Sequence, residues 1–374
     1  MFKKLTFLFI ILFFFSQKTY AISAKSAVLI DANTGRVLME KNSGARLGMA
    51  STTKIMTAAV AIEKGNLDDI VTVSSKSAGI EGSSIYLKAG EKISLRDLLY
   101  GLMLNSGNDA GAAIAEHISG DTKSFADLMT SKAKDLGLLN TSFTNPHGLD
   151  DENHYTTAYD LAQITRYALE MPAFAEIVST KVKTIYSTTN EGENVRTLSN
   201  HNKLLSQYKG ADGVKTGFTK KCGRCLVSSA TKDCLKLIAV TLSAPDDWND
   251  HKQMMDSCFS LYKLKVPVKA NGYARAVPLM GAETDKVFLH SLSDIMFAAK
   301  KDDKIKVVCN TPSFLTAPVY QGQSHGTVSV FLNGEEIKTV ELVVSEDILA
   351  IAKRKIRNSY FYIIKELFNL FTRV

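Results

Sequence analysis

Hydrophobic positions change their spacing several times along the chain. Leu5 to Phe15 is an almost unbroken apolar run. Ala27–Ile30 and Val37–Met39 then flank Asp31-Ala-Asn-Thr-Gly-Arg36, which predicts a hairpin with glycine in its turn. Ile55–Ile62 is rich in small apolar residues and predicts a buried helix. Leu95, Leu98, Leu99, Leu102 and Met103 recur at helical spacing, and Ala110–Ile118 predicts a second helix. The polar stretch Asn105-Ser-Gly-Asn108 falls between them as a turn. Leu226–Ala230 and Leu235–Leu242 predict strands around Thr231-Lys-Asp233. Strands first and last with helices between them imply a layered α/β (α+β) domain over residues 22–262.

From Val266 the texture is different. Short β-like runs (Lys286–Leu289, Ile305–Cys309, Thr327–Leu332, Thr339–Val344), separated by Gly, Pro and Asn, predict a small all-β domain over 265–345. Within 346–374, Ile356, Tyr360, Ile363, Ile364, Leu367, Phe368 and Phe371 follow steps of three and four. Asn358, Lys365, Glu366, Asn369 and Arg373 fall opposite them, so a terminal amphipathic helix is expected. Lys365 and Glu366 interrupt it too early for it to span a bilayer.

The composition, with 45% hydrophobic and 22% charged residues over 374 positions, is that of a folded protein and excludes a disordered or collagen-like chain. The net charge of +7 is unevenly placed. Residues 1–21 carry Lys3, Lys4 and Lys18 with no acid. The last two dozen residues carry six cations against Glu366, which leaves the body at −1. Such a body is a poor nucleic-acid binder. Lys3-Lys4, the short apolar run and small residues at Ala21, Ser23 and Ala24 predict a secretory signal peptide over 1–21, cut after Ala21, with an uncleaved anchor as the competing reading. With four cations between Lys353 and Arg357, the final helix reads as lying in an anionic membrane surface; a helix docked on the body is the competing reading. Of five cysteines, Cys222-Gly-Arg-Cys225 has redox or zinc spacing, but no second Cys/His pair accompanies it.

The candidate chemistry begins at Ser51-Thr-Thr-Lys54. Ser-x-x-Lys alone carries little, since it recurs at Ser131, Ser206, Ser229 and Ser260. Only Ser51 opens an apolar helix, where serine is a good N-cap. There Lys54 shares its face, and backbone N–H groups point at any forming anion. A serine hydroxyl needs a base. A lysine serves if burial and a second cation lower its pKa by roughly three units, about 4 kcal/mol against its charged form. Lys215-Thr-Gly217, the only Lys-Thr/Ser-Gly, offers that cation, and Ser106-Gly-Asn108 is the only Ser-x-Asn. His147 and His154 invite a Ser–His reading, but a lysine already fills the base role. Asp150, Asp151 and Glu152 are adjacent and lack a His/Cys partner at ligand spacing, so no metal and no cofactor is expected. Trp248, the only tryptophan, reads as a core or surface anchor.

Three motifs in the order Ser-x-x-Lys, Ser-x-Asn, Lys-Thr-Gly, on a helix, a turn and a strand, form a joint signal. With Ala50-Ser-Thr-Thr-Lys-Ile-Met-Thr-Ala58, Leu104-Asn-Ser-Gly-Asn-Asp-Ala110, Asn145-Pro-His-Gly-Leu-Asp-Asp-Glu-Asn-His154 and Gly210-Ala-Asp-Gly-Val-Lys-Thr-Gly-Phe-Thr219, the chain resembles the low-molecular-mass penicillin-binding proteins, D-alanyl-D-alanine carboxypeptidases of the DacA/DacF type. The resemblance runs from about Ala27 to Leu370. It departs from the family at Gly48-Met49, where many members carry a proline, and at Cys222 and Cys225.

The resemblance implies a serine β-lactamase/transpeptidase-like catalytic domain, a small all-β C-terminal domain and a membrane-anchor helix. It implies that Ser51 attacks the D-Ala-D-Ala carbonyl, Lys54 accepts its proton and Ser106 relays a proton to the departing amine. Asn108 would hold Lys54 and the substrate amide. Lys215 and Thr216 would receive the terminal carboxylate, and backbone N–H groups of Ser51 and Phe218, beside Gly217, would form the oxyanion hole. The implied partners are peptidoglycan stem peptides, β-lactam antibiotics and the outer face of the cytoplasmic membrane. A β-lactamase is the nearest rival, but the stretch from Asp150 lacks a clear Glu-x-x-Leu-Asn. A non-catalytic peptidoglycan-binding or β-lactam-sensing protein is the other, against which the intact motifs argue.

Overall fold

A computed structural model supplies the three-dimensional arrangement and describes residues 22–272, 274–351, 361, 363–365 and 368. The expected signal peptide lies outside the described residues, as does most of the expected terminal helix. Of 346–374, residues 346–351 are described and are not helical, Ile348 bridging to Val319, whereas Phe361, Ile363, Ile364, Lys365 and Phe368 are described and are helical. No helix among the described residues is long and apolar enough to cross a membrane.

The chain opens with the hairpin β1 (Ser26–Asp31) and β2 (Val37–Lys41), followed by α1 (Lys54–Lys64), β3 (Ile70–Thr72), β4 (Lys92–Ser94), α2 (Leu95–Leu104) and α3 (Asn108–Ser119). Then come α4 (Thr122–Asp135), α5 (Ala158–Leu169), α6 (Pro172–Ser179), a second hairpin β5 (Val182–Thr189) and β6 (Gly192–Ser199), and a short α7 (Leu204–Gln207). Three long strands, β7 (Ala211–Thr219), β8 (Gly223–Lys232) and β9 (Leu235–Leu242), precede α8 (Asp247–Leu261). The first and last strands meet in one sheet, ordered β2-β1-β9-β8-β7, with every pair antiparallel. The architecture is therefore α+β.

This sheet is buried on both faces, and its alternation shows how. Val28 and Ile30 of β1 and Ile238, Val240 and Leu242 of β9 point into one core with α1–α6; Ala27, Leu29, Leu237 and Ala239 point into a second core against α8. Side chains alternate across a strand, so a strand with two buried faces reads as an unbroken apolar run. β7 is the sheet's edge, and that edge faces the turn before α1: a Cβ added to Gly217 would lie 3.0 Å from the Ser51 backbone nitrogen.

A separate four-stranded sheet, β3-β4-β5-β6, packs its inward residues Val71, Ile93, Ile185 and Leu198 into the first core and is absent from the sequence-based expectation. The reason is visible in β5, Val182-Lys-Thr-Ile-Tyr-Ser-Thr-Thr189, where only Ile185 and Ser187 are buried. The expected β-like runs after Val266 are observed within longer strands: β10 (Tyr262–Val268), β11 (Ala274–Met280), β12 (Lys286–Ser291), β13 (Ile295–Lys300), β14 (Ile305–Asn310), β15 (Leu315–Thr316), β16 (Ser324–Leu332) and β17 (Glu335–Val344). β10 pairs with β13, the others form a six-stranded sheet, and together they enclose a third core from Val268 to Val344.

Asp31 couples this third region to the first hairpin. Fully buried, it accepts from Asn33 N (3.0 Å), Thr34 Oγ1 (2.9 Å) and, across the chain, Ala298 N (2.9 Å), while Arg36 donates to the Ala298 carbonyl. Asp31→Ala leaves those buried donors without a partner. It is expected to lower the urea-unfolding free energy by about 2–3 kcal/mol; a change within about 0.5 kcal/mol would mean the contact contributes little.

Candidate active site

Ser51 sits in a 3-10 turn, Ala50–Thr53, that runs directly into α1 at Lys54. The expectation of Ser51 as the helix N-cap is corrected. The turn starts one residue earlier, with Ala50 at φ 47°, and Ser51 makes no capping bond. Thr52 and Thr53 donate their hydroxyls back to the carbonyls of Met49 (2.6 Å) and Ala50 (2.8 Å). The Ser51 hydroxyl is thereby left for Lys54 Nζ, 3.0 Å away.

Lys54 is wholly buried. Besides Ser51, its Nζ meets Asn108 Oδ1 at 2.7 Å and the His147 carbonyl at 2.5 Å. The Asn108 amide is oriented by its other end, where Nδ2 donates to the Glu81 carbonyl (2.6 Å). Both of these oxygens can only accept. A neutral amine has two N–H groups and one lone pair, so with both hydrogens on carbonyl oxygens its lone pair is turned toward the one partner that can donate, Ser51 O–H. Burial drives the Lys54 pKa well below the lysine value, the Lys215 charge lowers it further and Asp109 opposes them, a balance that favours the neutral amine.

Lys215 lies on β7, itself fully buried, its Nζ donating to the Thr216 carbonyl at 2.9 Å. Burial pushes its pKa down to about 7. Ser106, at φ 62°, precedes α3 and is buried beside the same cleft. A cleft of about 340 Å³ is lined by Ser51, Ser83, Ser106, Thr216, Gly217 and Phe218, and the Phe218 ring is 65% exposed at its rim. The eight residues predicted from sequence thus converge on one place: Asn108 on Lys54, Lys54 on Ser51, and Lys215 electrostatically on Lys54.

His201, Lys203, Arg224, Asp247 and Trp248 also line the cleft and were not anticipated. Arg224 is readable only through register, since it faces Phe218 across the β7–β8 hairpin. Trp248, expected as a core or surface anchor, packs against the second core and also lines the cleft wall.

Neither histidine reaches Ser51. His154 contacts Thr53 Oγ1 (2.7 Å) and accepts from Thr144 N at Nδ1 (3.1 Å); burial lowers His147 to about 3 and His154 to about 4, so both are neutral. The 145–154 loop contributes backbone: Asn145 Oδ1 accepts from Gly148 N (2.7 Å), which presents the His147 carbonyl to Lys54. Asp150 accepts from Thr219 Oγ1 (2.8 Å) and Cys222 Sγ (3.1 Å), fastening the loop to the β7–β8 turn. Cys222 and Cys225 are free thiols. Among the described residues no group of three His, Cys, Asp or Glu could hold a metal ion.

Comparison with known proteins gives an independent view. Residues 14–246 match the family model described as D-alanyl-D-alanine carboxypeptidase, and 262–349 match the C-terminal domain of penicillin-binding protein 5. The chain is 36% identical over 338 residues to D-alanyl-D-alanine carboxypeptidase DacF of Bacillus subtilis, covering 87% of this chain and 86% of that one. It is 32% identical over 355 residues to DacC of Escherichia coli, covering 88% and 85%. The crystal structure of penicillin binding protein 5 from Haemophilus influenzae superposes with a TM-score of 0.72 at 31% identity, covering 88% of this chain and 98% of that one.

Gly148 tests the site's tolerance. Its φ is +89°, and an added Cβ would fall 1.9 Å from the Ala50 carbonyl oxygen. Gly148→Ala is expected to cost more than about 2 kcal/mol in chemical denaturation and to slow acylation by benzylpenicillin at Ser51 at least about tenfold. Unchanged acylation would separate this loop from the nucleophile.

Proposed function

The chain belongs to the serine D-alanyl-D-alanine carboxypeptidases of the penicillin-binding protein family, and on that premise we propose that Ser51, Lys54 and Ser106 carry out its acyl transfer. The observation that supports this most is the Lys54 amine: buried, 3.0 Å from Ser51 Oγ and with its pKa lowered by burial and by Lys215.

The substrate is a peptidoglycan stem peptide ending in D-Ala-D-Ala. Ser51 Oγ attacks the carbonyl of the penultimate residue as its proton passes to the Lys54 lone pair. Backbone N–H groups of Ser51 and Phe218 stabilise the oxyanion; each such donor is worth roughly 3–4 kcal/mol in comparable sites. Asn108 keeps Lys54 in place and meets the substrate amide. Ser106 passes a proton to the leaving nitrogen, the C–N bond breaks, and D-alanine departs with its carboxylate drawn to Lys215 and Thr216. Water then hydrolyses the ester on Ser51. A β-lactam acylates the same oxygen, but its amine stays tethered to the acyl group, so the ester persists.

Peptidoglycan lies outside the cytoplasm, so the enzyme works there. Attachment to the outer face of the cytoplasmic membrane through 346–374 belongs to this proposal and rests on the helical spacing of apolar residues beside a basic cluster in that segment.

Two measurements test the reading. Mass spectrometry of penicillin-labelled protein is expected to find the adduct on the peptide containing Ser51, and Ser51→Ala to abolish D-alanine release from a diacyl-D-Ala-D-Ala peptide by at least about 10³-fold. D-alanine release unaffected by the substitution would remove Ser51 from the reaction. The pH profile tests Lys54. A protonated amine is no base, so acylation falls as pH drops through the lowered Lys54 pKa. In Lys215→Met the repelling charge is gone, Lys54 holds its proton more readily, and the acid limb moves to higher pH. A limb that stays in place would exclude coupling between the two lysines.

A further inference from the structure

The segment 83–87 lines the cleft at Ser83 and carries one large side chain that the reaction described above does not use. Ile85 and Leu87 are buried in the first core, so Tyr86 between them is turned outward, 83% exposed. Its backbone lies in the left-handed region, at φ 59°. Glycine or asparagine ordinarily takes such a position, and a bulky aromatic residue there is a strained exception. Strain of this kind persists only where the surrounding structure over-determines it, and it gathers at sites that touch ligands.

The surroundings are built to hold it. Ser84 Oγ accepts from Tyr86 N at 2.8 Å and donates to Asp109 Oδ2 at 2.6 Å. The Tyr86 carbonyl accepts from Arg196 Nη2 at 3.0 Å. That guanidinium is itself fixed by the wholly buried Glu91, Nη1 to Oε1 at 2.5 Å and Nη2 to Oε2 at 2.9 Å, and by Ser187 Oγ at 2.9 Å. Among the described residues no hydrogen bond takes the Tyr86 hydroxyl. The backbone of Tyr86 is thus pinned on both sides, while its ring adds almost nothing to the core. The position borders the acyl half of the substrate. Asn108 N donates to the Ser83 carbonyl at 2.7 Å, and Asn108 Nδ2 to the Glu81 carbonyl at 2.6 Å. Asn108 meets the substrate amide and Lys215 and Thr216 draw the departing carboxylate, so 81–87 flanks the half that stays on Ser51.

We propose that Tyr86 is a specificity-determining residue, whose ring packs against the residue that precedes D-Ala-D-Ala and so makes the enzyme favour an extended stem peptide over the bare dipeptide end. The proposal rests on the carboxypeptidase reading of the cleft and adds a residue outside its three motifs. A tyrosine ring suits the task. It offers a large apolar face to an aliphatic side chain or a planar amide, and it has only two side-chain torsions to immobilise. The left-handed backbone fixes where that face stands before the substrate arrives, so little ordering remains for binding to impose.

The test measures kcat/KM of the full-length protein on diacetyl-lysyl-D-Ala-D-Ala and on acetyl-D-Ala-D-Ala, for wild type, Tyr86→Gly and Tyr86→Phe. Tyr86→Gly removes the ring and takes up the left-handed backbone without strain. It is expected to reduce the preference for the longer peptide about 5- to 20-fold, chiefly through the KM of that peptide, whereas Tyr86→Phe keeps the preference within about twofold. A merely structural role would lower both peptides equally, and that result overturns the proposal. So does a preference unchanged in Tyr86→Gly, or a defect confined to intact peptidoglycan, which would place the ring on the glycan. Acylation of Ser51 by benzylpenicillin against 6-aminopenicillanic acid, which lacks the acyl side chain, gives the corresponding ratio without turnover. An enzyme that releases no D-alanine therefore contradicts the carboxypeptidase reading while Tyr86 is still judged from acylation. Tyr86→Asn, which also tolerates positive φ, answers the question if Tyr86→Gly does not fold.

Discussion

An amine sealed from water must be neutral or must be matched by a buried acid, and Lys54 is given almost no acid. Its immediate partners are a hydroxyl and two carbonyl oxygens, and the nearest influential charge besides Asp109 is another lysine. Keeping a bare ammonium in such a place costs several kcal/mol. The deprotonated form is therefore what the fold holds, and a lone pair then has to point somewhere. Three stretches far apart in sequence settle where: the turn at 50–53, the start of α3, and the loop at 145–148. Remove either carbonyl and the lone pair is no longer directed at Ser51.

Asp109 links that chemistry to the wall of the cleft. It is fully buried at the first turn of α3, and accepts from Ser84 Oγ (2.6 Å), Ile85 N (3.1 Å) and Leu87 N (3.0 Å). These bonds hold the 83–87 segment against the helix that bears Asn108. The segment answers in turn, since the Ser83 carbonyl accepts from Asn108 N at 2.7 Å. Asp109 favours the charged form of Lys54, but burial and Lys215 act the other way, and burial is the largest influence. One carboxylate thus shapes the cleft while only tempering the base.

Much of this arrangement is legible in sequence because the relevant signals are local. The Ser-x-x-Lys spacing places two side chains one helical turn apart, and the apolar helix after it shows that the pair is buried. The paired faces of β1, β8 and β9 leave runs that can only be interior. Ser106 and Asn108 are recognisable because a short polar stretch interrupts two helical periods, the left-handed residue of the turn being Ser106 itself (φ 62°). What was not legible depends on pairing. The β3–β6 sheet has too few buried residues to show a period, and its strands find each other across a gap of about ninety residues. Arg224 and Trp248 belong to the cleft only because one hairpin register and one helix start bring them to Phe218 and Thr216. The capping role assigned to Ser51 failed for a local reason: the 3-10 turn begins at Ala50, so Ser51 lies inside it rather than ahead of it, and neither helix start carries a side-chain cap.

The place of β7 in the sheet ties these parts together. A strand at the edge of a sheet exposes unpaired backbone groups and invites association, which proteins usually block with charge, proline or cover. β7 has cover at one point, where Gly217 lets the strand approach Ser51 so closely that a side chain would meet its backbone nitrogen. The cost of an open edge is accepted here because it sets the strand's N–H groups beside a nucleophile. An extended peptide laid along an edge gains main-chain hydrogen bonds without regard to its side chains. Recognition must then come from what is peculiar to the substrate's end. A main-chain carboxylate is the group that a chain terminus has and the backbone of a chain interior lacks, and Lys215 stands on β7, the strand that forms this edge. Cleavage at the terminus, on this argument, follows from where the sheet ends.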